Sequence, residues 1–307
     1  MSLSQTIEHL VLSGGGINGY IAFGILKESN LAGFWKLENI KSIYATSIGA
    51  IDGLIILLNF EWEVIEKYLV NMPLDSLFNL NFLKVLNSFN NCGLCGNETI
   101  INLFNPLFKT KNIDLNITML EFYHLNKVDF HIYATEYNNF KPVDFSYQTH
   151  PDWKLLDVIY CSSCLPILYK PFKSPIDNKI YMDGAFFCNY PISFCYEKYK
   201  NEKEKIFGVN LKYIVFNENN NVLDYLFNIW DNVINKNQKS NEIDTTELGI
   251  NEITLDNNIK LGEIENDPFS GIYLAMVRNE KRTNMINKGK EIWNQSILAK
   301  ETTVRDK

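Results

Sequence analysis

Three short stretches of this chain carry residues able to do chemistry together. Ser47 lies in Ile43-Tyr44-Ala45-Thr46-Ser47-Ile48-Gly49-Ala50, between a strand-like and a helix-like segment, so its hydroxyl falls on a tight turn. Such a hydroxyl is inert unless a base activates it and donors hold the oxyanion its attack creates. Small-x-Ser-x-Gly is close to a nucleophile elbow, where the residues two before and two after the serine stay small because strand and helix backbones pass close together. Ala45 and Gly49 meet that demand, Ala45 with one methyl more than the usual glycine. Taken alone, Ser47 also fits an ordinary helix N-cap.

The second stretch is Gly14-Gly15-Gly16-Ile17-Asn18-Gly19. Its glycines let backbone N–H groups converge, and the helix that follows adds its positive end, so the loop suits an anion. That anion is open at this level. Gly14, Gly16 and Gly19 also satisfy the dinucleotide pattern G-x-G-x-x-G, with Glu38 about 20 residues on as a ribose ligand. No Gly-Lys-Ser or Gly-Lys-Thr closes the loop, which excludes a Walker loop. The third stretch, Tyr181-Met182-Asp183-Gly184-Ala185, puts an aspartate on a turn after a strand, followed by Asn189-Tyr190-Pro191. Asp-Gly is equally a plain turn signal. A carboxylate with a solution pKa of about 4 is a poor base for a hydroxyl, so Asp183 has to gain basicity or relay the proton directly to the leaving oxygen.

These residues need a scaffold. His9-Leu10-Val11-Leu12 reads as a short buried strand, Ile17 to Ser29 as a helix, Ile40 to Ala45 as a second strand and Ile48 to Asn59 as a second, buried helix. Alternation at this spacing implies βαβ units and an α/β sheet covered by helices on both faces. Residues 72–125 read as a helical cap without a clear strand. Further strands are expected at Val128 to Glu136, Asp144 to Tyr147, Lys205 to Phe216 and Glu252 to Leu255, with helices at Lys154 to Ser162 and Gly271 to Leu298.

A net charge of -7 argues against nucleic acid, whose phosphates demand a basic footprint. The tail from Arg278 onward is an exception, with eight basic and four acidic residues; a solvated helix face and a lipid-surface contact both fit it. No basic segment precedes an apolar run at the N-terminus, and no apolar stretch reaches about 18 residues, so the expectation is a soluble, intracellular protein, peripheral at membranes if there at all. Cys92/Cys95 and Cys161/Cys164 form two CxxC pairs, too far apart for the usual four-cysteine zinc signature; free buried thiols are the simpler reading.

As an ordered set, Gly-Gly-Gly-x-x-Gly, Thr-Ser-Ile-Gly-Ala and Asp-Gly-Ala-x-x-x-Asn-x-Pro resemble the patatin-like phospholipase family, from roughly Glu8 to Tyr196. The resemblance implies a three-layer α/β fold with a mostly parallel central sheet, helices on both faces and a helical cap. With the residue patterns, the chain reads as a patatin-like catalytic domain (1–216, cap insertion 72–125) and a C-terminal helical region (217–307) packed on or extending it. The resemblance further implies a Ser47–Asp183 dyad without histidine and an oxyanion hole from Gly14, Gly15, Gly16 and Ile17. Gly19, Ala45, Gly49 and Gly184 support that motif. The implied reaction is lipid-ester hydrolysis through an acyl-enzyme, with no metal, no cofactor, transient membrane contact and no stable protein partner. Ala45, Asn18 (often arginine) and Ala185 (often glycine) depart from the family pattern. A catalytically silent lipid-binding member and a dinucleotide-binding protein are the alternatives. His9, His124, His131 and His150 all precede Asp183, so a conventional Ser-acid-His order is met only with an earlier acid such as Glu136 and with His150.

Overall fold

The computed structural model describes residues 6–74, 76, 92–212, 225, 229, 232–234, 236, 243–255 and 278–305. In chain order the main elements are β1 (His9–Leu12), α1 (Gly19–Leu31), β2 (Ser42–Thr46), α2 (Ile48–Leu57), α3 (Trp62–Asn71), β3 (Gly93–Cys95), α4 (Glu98–Thr110), α5 (Met119–Asn126), β4 (Asp129–Glu136) and β5 (Lys141–Phe145). They continue with α6 (Leu155–Ser163), β6 (Ile167–Tyr169), β7 (Phe172–Lys173), β8 (Ile180–Asp183), α7 (Ala185–Cys188), α8 (Ile192–Tyr199), β9 (Ile206–Leu211), β10 (Asn251–Leu255) and α9 (Asn279–Arg305).

The central sheet runs β10-β9-β1-β2-β4-β8-β7, with β5 also on β4. Strands β10 to β4 are mutually parallel; β5, β7 and β8 join antiparallel. Alternate residues of the central strands point to opposite faces. Leu10, Leu12, Ile43, Ala45, Ile132 and Ala134 pack in one cluster with residues of α1, α2 and α6. Val11, Tyr44 and Tyr133 pack in the other with Cys188, Ile192 and Cys195. Helices thus cover both faces, which is why the strand sequences read as unbroken apolar runs. The architecture is three-layered α/β.

One expectation is corrected: residues 72–125 are not free of strand, because Gly93–Cys95 pairs in parallel with β6. Ile100, Phe104 and Phe108 of α4 are buried in the same cluster as the sheet. Residues 75 and 77–91 of that expectation lie outside the described residues. Among the described residues, no helix is long and apolar enough to cross a membrane.

Helix α9 lies against α1 at a pair of glycines. A Cβ on Gly24 would fall 2.1 Å from the Ile286 carbonyl oxygen, and one on Gly289 would fall 2.1 Å from that of Ile21, so the two backbones touch. Gly289→Val is therefore expected to push the helices apart and lower stability by about 3 kcal/mol, an overpacking cost that neighbouring backbone cannot absorb. Chemical denaturation against the wild-type chain measures it.

Candidate active site

Ser47 occupies the junction of β2 and α2 with φ 55° and ψ −124°, a conformation that non-glycine residues adopt at a cost of about 1–3 kcal/mol. The turn survives because its surroundings leave no slack. A Cβ on Gly49 would lie 2.5 Å from the carbonyl oxygen of Leu12 and 2.7 Å from that of Ser13, and one on Gly19 would lie 2.1 Å from Ile48 Cγ1. Ala45, fully buried on β2, fits its extra methyl into the core without relaxing the turn. The side chain of Ser47 does not cap α2, so the N-cap alternative fails. Instead its hydroxyl donates to Asp183 Oδ2 at 2.6 Å.

The pairing of β4 explains how two residues so far apart in sequence meet. Residues 132–136 of β4 pair with β5, residues 129–133 with β2 and residues 134–136 with β8. Because β5 overlaps both of the others, β2 and β8 must share the opposite edge of β4, where they abut tip to tip. Thr46 is level with Tyr133 and Asp183 with Ala134, which puts Ser47 and Asp183 at the join. The join is tight: a Cβ on Gly184 would come within 2.1 Å of the Tyr133 carbonyl oxygen. Ser162, at the end of α6, braces it by accepting the Ser47 N–H at 2.8 Å and donating to the Tyr133 carbonyl at 2.6 Å. Its own carbonyl accepts the Gly184 N–H at 3.1 Å.

Asp183 is buried, its second oxygen accepting the Ala185 N–H at 2.8 Å. Burial raises its pKa from 3.8 to about 6, against the opposing pull of the hydrogen bonds from Ser47 and the Ala185 amide. The carboxyl thus approaches the basicity that a proton acceptor needs near neutrality while remaining ionised there.

The glycine loop faces this pair. Gly14 is a correction to the expected oxyanion set, because its N–H already donates to the Asn189 carbonyl at 2.9 Å. Asn189 returns its side-chain amide to the Gly14 carbonyl at 3.3 Å and fills the space a Gly14 Cβ would need. Gly15, Gly16 and Ile17 have no acceptor for their N–H groups among the described residues. Gly16 has φ 54°, with nothing within 4 Å of where a Cβ would stand. These groups precede α1 by a single 3-10 turn, so its positive end backs the loop. Asn18 closes the loop through its N–H to the Gly15 carbonyl at 3.1 Å.

The competing assignments lose their geometry. Glu38 lies in a turn before the N-terminal end of β2, whereas the glycine loop follows the C-terminal end of β1; the strands are parallel, so the two lie at opposite ends of the sheet and Glu38 is no ribose ligand. His150 donates or accepts at Thr149, and Glu136 accepts from Asn139, so neither serves Ser47. His131 sits between Asp129 and Asp144, at 3.1 and 2.8 Å. Cys161 and Cys164 are buried free thiols, Cys95 is buried and Cys92 is exposed. The sequence puts Ser162 at a helix end and Asn189 within a motif but gives neither a task; only their distant partners reveal one.

An elbow serine bonded to a buried aspartate thus lies beside a glycine-rich amide loop in a three-layer α/β protein. The chain belongs to the patatin-like phospholipase family, whose model matches residues 10–196. It is 28% identical over 198 residues to the probable lipid hydrolase 463L of Invertebrate iridescent virus 6, covering 64% of this chain and 65% of that protein. The chain therefore spans just under two thirds of that relative. An uncharacterized protein of Acanthamoeba polyphaga mimivirus is 23% identical over 234 residues, 73% of this chain and 74% of its own length. Among solved structures, VipD from Legionella pneumophila aligns with a TM-score of 0.47 at 14% identity, over 92% of this chain and 67% of that one. The type III effector ExoU aligns with a TM-score of 0.43 at 12% identity, over 94% and 53%.

Proposed function

We propose that this protein is a lipid acyl hydrolase of phospholipase A type, working through a Ser47–Asp183 dyad and an acyl-enzyme. The observation that carries the reading is the 2.6 Å hydrogen bond from Ser47 Oγ to a buried carboxylate, on a strained elbow facing unpaired loop amides. Ser47 Oγ attacks the ester carbonyl carbon while Asp183 Oδ2 takes its proton. The carbonyl π electrons move to oxygen, where the N–H groups of Gly15, Gly16 and Ile17 receive the charge; one such donor is typically worth about 2.7–4 kcal/mol. Collapse expels the alcohol, protonated by Asp183, and leaves an acyl group on Ser47. Water then gives a proton to Asp183 and attacks the acyl carbon, releasing the fatty acid and restoring the serine. No step draws on a metal or cofactor.

Intact-protein mass spectrometry after a long-chain fluorophosphonate, with peptide mapping, tests the proposal. A single adduct on Ser47, greatly slowed in Asp183→Asn, is the expected result. A folded protein that forms no adduct overturns the dyad and favours a silent lipid-binding role.

A further inference from the structure

We infer that the tips of the β4–β5 and β7–β8 hairpins form the surface by which this protein docks on an anionic lipid bilayer. The inference rests on the lipid-hydrolase reading for its purpose. Strand β4 continues from Ala134, level with Asp183, to Glu136 before turning at 137–140. At about 3.3 Å per residue, that tip stands roughly 10 Å beyond the dyad, at the C-terminal end of β2 where Ser47 opens. The β7–β8 turn lies beside it: Tyr137 N–H donates to the Ile180 carbonyl at 2.8 Å and Ile180 N–H to Asn138 Oδ1 at 2.9 Å. The two tips are thereby joined.

What they present is unusual for a water-facing turn. Tyr137, Phe140 and Ile176 are 57%, 48% and 57% exposed. Phe140 has φ 49°, a conformation that suits glycine or asparagine and is an outlier for a bulky ring. Its ring meets Phe187 edge-on at 4.8 Å, and Phe187 belongs to α7, which starts two residues after Asp183, so the patch is continuous with the site. Beside the rings stand Lys141 and Lys173, both exposed, with Lys179 half-buried. The neighbouring anions are Asp177, which accepts from Tyr181 and lies 3.8 Å from the Lys179 ammonium, and the fully buried Glu136, 3.7 and 3.9 Å from the ammonium groups of Lys141 and Lys179. Three cations against two anions, with Lys173 outside the ion pairs described, make a slightly basic spot on a chain of net charge -7. Apolar side chains that enter the acyl boundary, ringed by lysines that reach anionic headgroups, match a bilayer in both chemistry and charge. Helix α9, the basic stretch singled out from sequence, is less suited. Its Arg282 is buried, Lys288 pairs with Glu291 and Lys290 with Glu28.

The test is co-sedimentation of the Ser47→Ala chain with phosphatidylcholine vesicles, pure or carrying one part phosphatidylserine to three. Binding to the anionic vesicles is expected, falling at least about tenfold in Tyr137→Ser/Phe140→Asn/Ile176→Ser and about fivefold or more in Lys141→Gln/Lys173→Gln. Tryptophan placed by Ile176→Trp keeps the test independent of the triple variant's folding: its emission should shift to the blue on adding anionic vesicles. Unchanged binding by a folded triple variant, no spectral shift, no vesicle binding at all, or a loss produced only by Lys281→Gln/Lys288→Gln overturns the inference. With Ser47 intact, the triple variant should hydrolyse a short soluble ester at the wild-type rate and vesicle lipid more slowly. Tip-dependent binding without hydrolysis of any ester would sink the proposed function alone; equal vesicle hydrolysis by both chains would sink the docking surface alone.

Discussion

Ser47→Ala is expected to reduce ester hydrolysis at least about ten-thousandfold, because the proposed reaction has no other route to an acyl-enzyme. The loss should fall on kcat for long-chain and short-chain esters alike, since the hydroxyl is used in the chemical step and not in gripping the chain. Stability should change little. Alanine keeps the strained φ of 55° and gives up the hydrogen bond to Asp183. Ser47→Gly is the informative companion, equally inactive but more stable than Ser47→Ala by about 1 kcal/mol, because glycine occupies that backbone region freely. Initial rates and thermal unfolding of the two variants separate the chemical role of the oxygen from the strain of its turn.

Asp183→Asn is expected to cost about 10⁴ in kcat while making the protein more stable at pH 8. The carboxyl titrates near 6 in the folded chain, up from 3.8, because burial disfavours its charge. The folded state thus holds this proton more tightly than the unfolded one. That contribution to stability is complete below about pH 4 and is lost as pH rises through 6. Above it, the buried carboxylate opposes folding by about 2–3 kcal/mol. Asparagine removes the penalty and with it the base. For the wild type, kcat/KM should climb as pH rises through about 6, since only the ionised carboxylate accepts the serine proton, while stability declines across the same interval. A pH–rate profile with a flat acid limb would contradict the assignment.

The parts of the site readable from sequence are those set by local geometry. Gly49 betrays an elbow because the small-x-Ser-x-Gly pattern is local, even though the carbonyls that demand it belong to Leu12 and Ser13, and Gly14 to Gly19 betray an anion loop because strand, turn and helix follow in order. What stayed hidden depends on which strand edges pair. Nothing in the order of residues says that β2 and β8 end on the same edge of β4, or that Ser162 fastens that meeting. The family resemblance implies a free amide at Gly14; the carbonyl that occupies it belongs to Asn189, far along the chain. Glu38 satisfied a count of residues but lies at the wrong end of a parallel pair, a fact carried by strand direction and not by spacing. The strand at Gly93–Cys95 is too short to show a period, and its partner β6 is equally brief.

If the proposed dyad acts on lipids, the join on β4 also sets when the protein becomes dangerous to them. Its two reacting side chains are 136 residues apart in the chain, and neither strand end has a mate until the intervening segment has collapsed onto β4. Contacts of such long sequence separation form late and slowly. A chain still emerging from the ribosome, or one cut between the two strands, carries a serine with no acceptor for its proton. Catalytic competence should therefore lag behind the recovery of helix signal during refolding and arrive in a single step, so that partly folded molecules are harmless to the membranes around them.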